Sequence, residues 1–159
     1  MKWVLSGIAA VGIFGVGLIL FTDDPLGLSG KSPGQILAYE DPEAIALGKS
    51  VYADQCASCH GADLAGQENW RDRDDDGLLP APPHDATGHT WHHPDAQLID
   101  ITTRGTAAVV GRGYQSNMPG YAEILSAEEI KAALAYIKST WPAEVIATHN
   151  DINMRHATQ

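Results

Sequence analysis

The sequence predicts an all-α protein, in which one apolar N-terminal helix precedes a compact helical domain. Three observations support this fold class. Residues 3–21 are uncharged and predominantly apolar. Three later segments combine helix-capping residues with apolar residues at helical spacing, and no run alternates between apolar and polar residues as a half-buried strand would. The chain accordingly divides into residues 1–21, 22–40, 41–142 and 143–159.

Residues 1–21 are predicted to form a transmembrane helix. About 19 uncharged residues in a helix would span roughly the 30 Å hydrocarbon layer. The bulky residues LILF at the end of this run favour an uncleaved signal anchor over a cleaved signal peptide. Lys2 precedes the run, whereas Asp23 and Asp24 follow it, so the N-terminus should be cytoplasmic. We therefore predict a single-pass protein of the bacterial inner membrane, with its domain on the periplasmic side.

Residues 22–40 are rich in Gly, Pro, Ser and Asp, which predicts a flexible linker. The first helix of the domain should begin after Asp41, because Asp is a favourable N-cap and Pro42 suits the first turn. A second helix is expected from Pro94 to about Thr103, with its end at Gly105.

The third helix has the clearest signals. Ser126 and Glu129 have the spacing of a capping box, apolar residues follow at helical spacing, and Pro142 ends the helix. Residues 143–159 are polar and have only a weak helical tendency, so we predict a tail.

The composition excludes one class of partner. The formal net charge is −10, and nucleic-acid binding requires clustered Lys and Arg side chains. We therefore expect no nucleic-acid partner.

The only two cysteines, Cys56 and Cys59, are spaced C-x-x-C and are followed directly by His60. This is the attachment pattern of a c-type haem. Two thiols bond to the two vinyl groups of the haem, and the adjacent imidazole lies beneath the iron. A thioredoxin-like redox pair would need a βαβ context, which the sequence lacks. We predict one covalently attached haem c with His60 as the proximal iron ligand.

Met118 is the candidate for the second axial ligand. The chain has three methionines. Met1 would lie on the cytoplasmic side and Met154 falls in the polar tail, whereas Met118 lies in the Gly- and Pro-rich segment GYQSNMPGY. Met and His ligation together suit electron transfer. The alternative interpretation is that Met118 fills a gap in the core.

From about residue 41 to 141, the sequence resembles the class I cytochrome c family. The resemblance rests on a first helix with Gly48 and Tyr52, the motif CASCHG, the loop motif NMPGY, and a last helix with Leu134, Tyr136 and Ile137. It implies the family's helical fold around one haem, with the first and last helices crossing at Gly48.

The resemblance also implies the ligands of the iron, His60 on the proximal side and Met118 on the distal side. In this family a proline carbonyl accepts a hydrogen bond from the proximal imidazole, which orients the ring. Pro82 and Pro83 are both candidates for this role.

A histidine-rich segment, PPHDATGHTWHHPD, precedes the second helix and contains His84, Asp85, His89, His92 and His93. It could bind copper or zinc. The interpretation that we favour is a loop that packs Trp91 and one or two histidines around the edge or the propionates of the haem.

The resemblance implies an electron carrier rather than an enzyme. We expect it to exchange single electrons with membrane donor and acceptor complexes of a respiratory or photosynthetic chain, either as a tethered shuttle or as a haem subunit of one complex. A haem-based sensor or enzyme is an alternative, since it would need only a displaceable sixth ligand. A metal-handling module built on the cluster from His84 to His93 is another.

Overall fold

The computed structural model describes residues 33–159, which form a helical body. Its elements in chain order are α1 (Pro42–Gln55), α2 (Ala57–His60), a 3₁₀ turn (Thr90–His92), α3 (Asp95–Arg104), α4 (Thr106–Val110), α5 (Ala127–Ser139) and α6 (Ala143–Ala157). Residues 33–159 contain no β-strand, so the all-α prediction is confirmed for them.

The predicted transmembrane helix, residues 1–21, lies outside the described residues. Within residues 33–159, no helix combines the length and the apolar character needed to cross a membrane.

The predicted helix starts are confirmed by their caps. The Asp41 side chain accepts a hydrogen bond from the Glu43 N–H at 2.9 Å, at the start of α1. At the start of α5, the Ser126 hydroxyl accepts from the Glu129 N–H at 3.2 Å, while the Glu129 carboxylate accepts from the Ser126 N–H at 2.8 Å. Each bond satisfies a backbone donor that has no partner inside its helix.

Helices α1 and α5 cross at Gly48, as the resemblance implied. A Cβ atom added to Gly48 would lie 1.9 Å from the carbonyl oxygen of Ala132, so only glycine allows this approach. Next to the crossing, the rings of Tyr52 and Tyr136 lie 5.5 Å apart. The hydrophobic core of the domain contains Leu37, Tyr52, Leu64, Leu98, Ile130, Leu134, Ala135, Ile137 and Trp141.

The packed body extends beyond residues 41–142 on both sides. Leu37 falls in the segment predicted to be a flexible linker, yet its side chain is fully buried in the core. Instead of a polar tail, residues 143–157 form helix α6, in which His149 and Asn153 are buried. Polar side chains such as these are expected at the surface. Both can be buried here because their polar atoms form hydrogen bonds with distant parts of the chain.

Candidate haem site

The attachment motif lies where α1 ends and the short helix α2 begins. Cys56 is the C-cap of α1, and α2 contains Cys59 and His60. Burial, together with the neighbouring Cys59, raises the pKa of the Cys56 thiol to about 11. Cys56 is therefore a protonated thiol at neutral pH. A protonated thiol would supply both the sulfur and the hydrogen atom that a thioether link to a haem vinyl group requires.

The His60 ring is held in one orientation. Its Nδ1 lies 2.8 Å from the carbonyl oxygen of Pro82, and the bond requires the proton to be on Nδ1, because a carbonyl can only accept. The lone pair is consequently on Nε2, where a metal can bind it. Burial lowers the pKa of His60, although the bond to Pro82 opposes this shift, so the ring stays neutral. Of the two candidate prolines, Pro82 makes this bond, whereas the carbonyl of Pro83 accepts from the Thr90 hydroxyl at 3.4 Å.

A cavity of about 620 Å³ brings the predicted site residues together. Cys56, Cys59, His60 and Met118 all line it, although Met118 is 58 residues after His60 in the sequence. The volume lies in the range of about 300–1,000 Å³ typical of sites for cofactors and drug-sized ligands. Two thiols that could form the covalent links, a neutral imidazole and a thioether that could ligate the iron all line this cavity, so the residues fit haem c.

Contacts on both sides position the loop that carries Met118. The Met118 N–H donates to the Ser116 hydroxyl at 3.1 Å, and the Thr106 hydroxyl donates to the Met118 sulfur at 3.4 Å. After Met118, the Tyr121 hydroxyl donates to the Gln55 carbonyl at 2.9 Å, next to the attachment motif. These bonds hold the thioether in the wall of the cavity.

The structure reveals lining residues that the sequence did not predict. Trp70 lines the cavity and stacks on His89, with ring centroids 5.3 Å apart, while the Arg71 guanidinium lies 4.0 Å from the Trp70 ring centroid. Trp91, which we expected at the haem, is not among the lining residues. It stacks on His92 with ring centroids 3.7 Å apart. Sequence order could not distinguish the two tryptophans, because the loop of residues 61–89 folds back over the cavity.

The histidine-rich segment divides between the cavity and the surface. His84, His89 and His93 line the cavity, whereas His92 is exposed. In the part of the chain that the structure describes, no three His, Cys, Asp or Glu side chains are arranged to hold a metal ion. Its geometry therefore favours packing around the cofactor over a separate copper or zinc site.

Comparison with known proteins identifies the family of this chain. The cytochrome c family model matches residues 45–141. A cbb3-type cytochrome c oxidase subunit FixP from Azorhizobium caulinodans is 31% identical over 104 residues, which are 63% of this chain and 32% of the relative. A cbb3-type cytochrome c oxidase subunit CcoP from Rubrivivax gelatinosus is 37% identical over 60 residues, which are 38% of this chain and 19% of the relative.

The matched segments thus span about a third or less of the length of these curated relatives. No solved structure gives a significant match. The family match covers more than half of the chain and includes both cysteines, His60 and Met118. The chain belongs to the cytochrome c family, as a class I c-type cytochrome with covalently bound haem c.

Proposed function

We propose that this chain is an electron-transfer cytochrome whose iron is ligated by His60 and Met118. The observation that carries the proposal is that both thiols, an imidazole whose Nε2 lone pair is available to a metal, and a thioether line one cavity. The haem, when bound, supplies the interchange between ferrous and ferric iron. The protein attaches it through Cys56 and Cys59.

The residues around the two proposed ligands set the balance between the oxidation states. Pro82 orients His60 through the hydrogen bond to Nδ1. Apolar side chains, including Leu98, Ile101 and Leu134, line the cavity. Because an apolar site disfavours the more highly charged ferric state, this lining raises the reduction potential.

The polar part of the lining has a separate role. A haem carries two propionates, and Arg71 is the one Lys or Arg among the described residues of the cavity wall. His89, His93 and Gln97 also line the cavity, and His89 stacks on Trp70, the neighbour of Arg71. We assign the propionates to this region, because carboxylates need cationic or N–H donor partners when partly buried.

The proposed setting is a respiratory membrane complex. The FixP and CcoP relatives are subunits of cbb3-type oxidases, and we propose that this chain is likewise a haem subunit, although a carrier tethered between complexes uses the same site. The predicted anchor at residues 1–21 would hold it on the periplasmic face of a bacterial inner membrane. Exposed Leu79 and Val110 lie on the cavity wall and offer an apolar surface for a redox partner.

A spectroelectrochemical titration of the purified full chain tests the electron-transfer function. We expect one reversible one-electron transition between low-spin ferric and ferrous spectra. An irreversible transition, or a high-spin ferrous state, would contradict the proposal.

Native electrophoresis of detergent-solubilised membranes, stained for covalent haem, tests the setting. A haem subunit should migrate with a larger complex. Migration at the size of the single chain would contradict the subunit role and favour the tethered carrier.

A further inference from the structure

A second imidazole covers one face of the proposed proximal ligand. The ring of His84 is stacked on the ring of His60, with centroids 3.9 Å apart and planes inclined by 28°. His84 is two residues after Pro82, whose carbonyl accepts from His60 Nδ1. One short segment therefore fixes the edge of the His60 ring through a hydrogen bond and its face through a stacked ring.

His84 is itself held in place on two sides. Its Nδ1 lies 2.9 Å from the hydroxyl of Thr90, a buried residue whose hydroxyl also donates to the Pro83 carbonyl. Because the Thr90 hydroxyl donates its only proton to Pro83, it must accept the hydrogen bond from His84. We therefore assign the ring proton of His84 to Nδ1. The His84 carbonyl accepts from the Trp141 indole at 2.7 Å. The ring cannot rotate away from His60 without breaking the bond to Thr90.

The stack has an electronic consequence for a metal-bound His60. Imidazole bound to ferric iron carries more positive charge than imidazole bound to ferrous iron. The face of an aromatic ring is electron-rich and stabilises adjacent positive charge. A ring on the face of His60 therefore favours the ferric state and also limits rotation of His60 about its bond to the metal.

We propose that His84 is a positioning residue for the proximal ligand, fixing the plane of His60 and lowering the reduction potential of the haem. The inference rests on the part of the proposed function that makes His60 an iron ligand.

The experiment compares variants of the full-length holoprotein by redox titration and by electron paramagnetic resonance of the ferric state. The g values of a low-spin ferric haem respond to the plane of the axial imidazole. His84→Leu removes the stacked ring, His84→Phe keeps an aromatic face, and Thr90→Val keeps the imidazole but removes its anchor. His92→Leu is the matched control, because His92 is exposed and stacks on Trp91 outside the cavity lining.

We expect His84→Leu to raise the ferrous-to-ferric ratio at fixed ambient potential by about threefold to tenfold. Tenfold corresponds to about 59 mV for one electron. The g values should change as well. His84→Phe should restore most of both properties, Thr90→Val should change both in the same direction by less, and His92→Leu should match the wild type.

Wild-type g values and potential in His84→Leu would overturn the proposal, as would an equal shift in His92→Leu. If His84→Leu fails to mature, Thr90→Val becomes the test. Wild-type g values and a wild-type reduction potential in Thr90→Val would then overturn the proposal. A failure of the proposed function has a different signature, because the wild type itself would then lack a low-spin spectrum or a reversible transition.

Discussion

Asp95 and Asn153 exchange two hydrogen bonds across 58 residues of sequence. The Asp95 N–H donates to the Asn153 side-chain oxygen at 2.7 Å, and the Asn153 amide donates to the Asp95 carboxylate at 3.0 Å. The other carboxylate oxygen of Asp95 accepts from the backbone N–H groups of Ile36 and Leu37 at 2.7 and 3.0 Å. Both side chains are buried. The pair therefore ties α3, α6 and the segment before α1 to one another.

Asn153→Ala should destabilise the domain. The change leaves the Asp95 N–H buried without a partner and removes a hydrogen bond from a carboxylate oxygen that keeps Lys138 Nζ at 3.9 Å, which together cost about 1–3 kcal/mol. Chemical denaturation of the holoprotein measures the effect. Asp151→Ala, an exposed change on the same helix, should alter the free energy of unfolding by less than about 0.5 kcal/mol. Equal stability of the two variants would refute this role of Asn153.

His149 should make stability depend on pH. Burial lowers its pKa, and the Lys138 ammonium acts in the same direction, while the Asp95 carboxylate and the bond to the His93 carbonyl oppose them. The unfolded chain, with a histidine pKa near 6.5, therefore binds a proton more readily than the folded chain. The free energy of unfolding should fall as the pH decreases from about 6.5 towards the folded-state pKa, by at most about 1.4 kcal/mol per pH unit from this group.

His149→Gln isolates that contribution, because glutamine retains an N–H donor for the His93 carbonyl and does not titrate. Denaturation curves collected from pH 7.5 to 5 should show a smaller slope for the variant than for the wild type. Identical slopes would mean that other groups cause the pH dependence.

Gly48→Ala should separate α1 from α5. The added methyl group would lie 1.9 Å from the Ala132 carbonyl oxygen and 2.9 Å from the Tyr136 Cβ. Such overpacking typically costs about 1–3 kcal/mol, which exceeds the gain of about 0.5–1 kcal/mol from replacing a helical glycine. Thermal unfolding measures the loss, with the exposed neighbour Lys49→Ala as the control. A Gly48→Ala or Gly48→Leu protein that matures and melts like the wild type would contradict this packing.

Thr106→Val should lower the reduction potential. The Thr106 hydroxyl donates to the Met118 sulfur, and this bond withdraws electron density from the proposed ligand, which favours ferrous iron. A hydrogen bond that stabilises only one oxidation state by about 0.5–1.5 kcal/mol shifts a one-electron reduction potential by up to about 60 mV. Thr103→Val is the control, because its hydroxyl donates to the Ile99 carbonyl away from the cavity. An unchanged or higher potential in Thr106→Val would argue against Met118 as the ligand.

Local signals in the sequence predicted the helices, whereas contacts between distant segments could not be predicted from it. The caps at Asp41 and Ser126 act within three residues, so the sequence shows them directly. The burial of His149 and Asn153 depends on partners more than 50 residues away, so α6 looked like a polar tail.

The site shows the same division between local and distant information. Cys56, Cys59 and His60 are recognisable because haem attachment fixes their spacing. The loop after α2 folds back so that Pro82, and not Pro83, accepts the hydrogen bond from His60. The same fold stacks His84 on His60. No local sequence pattern encodes either contact.

The central claim is that His60 and Met118 together occupy both axial positions of the iron. Optical spectra of the dithionite-reduced protein before and after addition of carbon monoxide test it most directly, with Met118→Ala as the comparison. We predict an unchanged low-spin c-type spectrum for the wild type and rapid conversion of Met118→Ala to a carbonyl spectrum. Rapid, complete conversion of the wild type would contradict the claim and favour a sensor or an enzyme with an open sixth site.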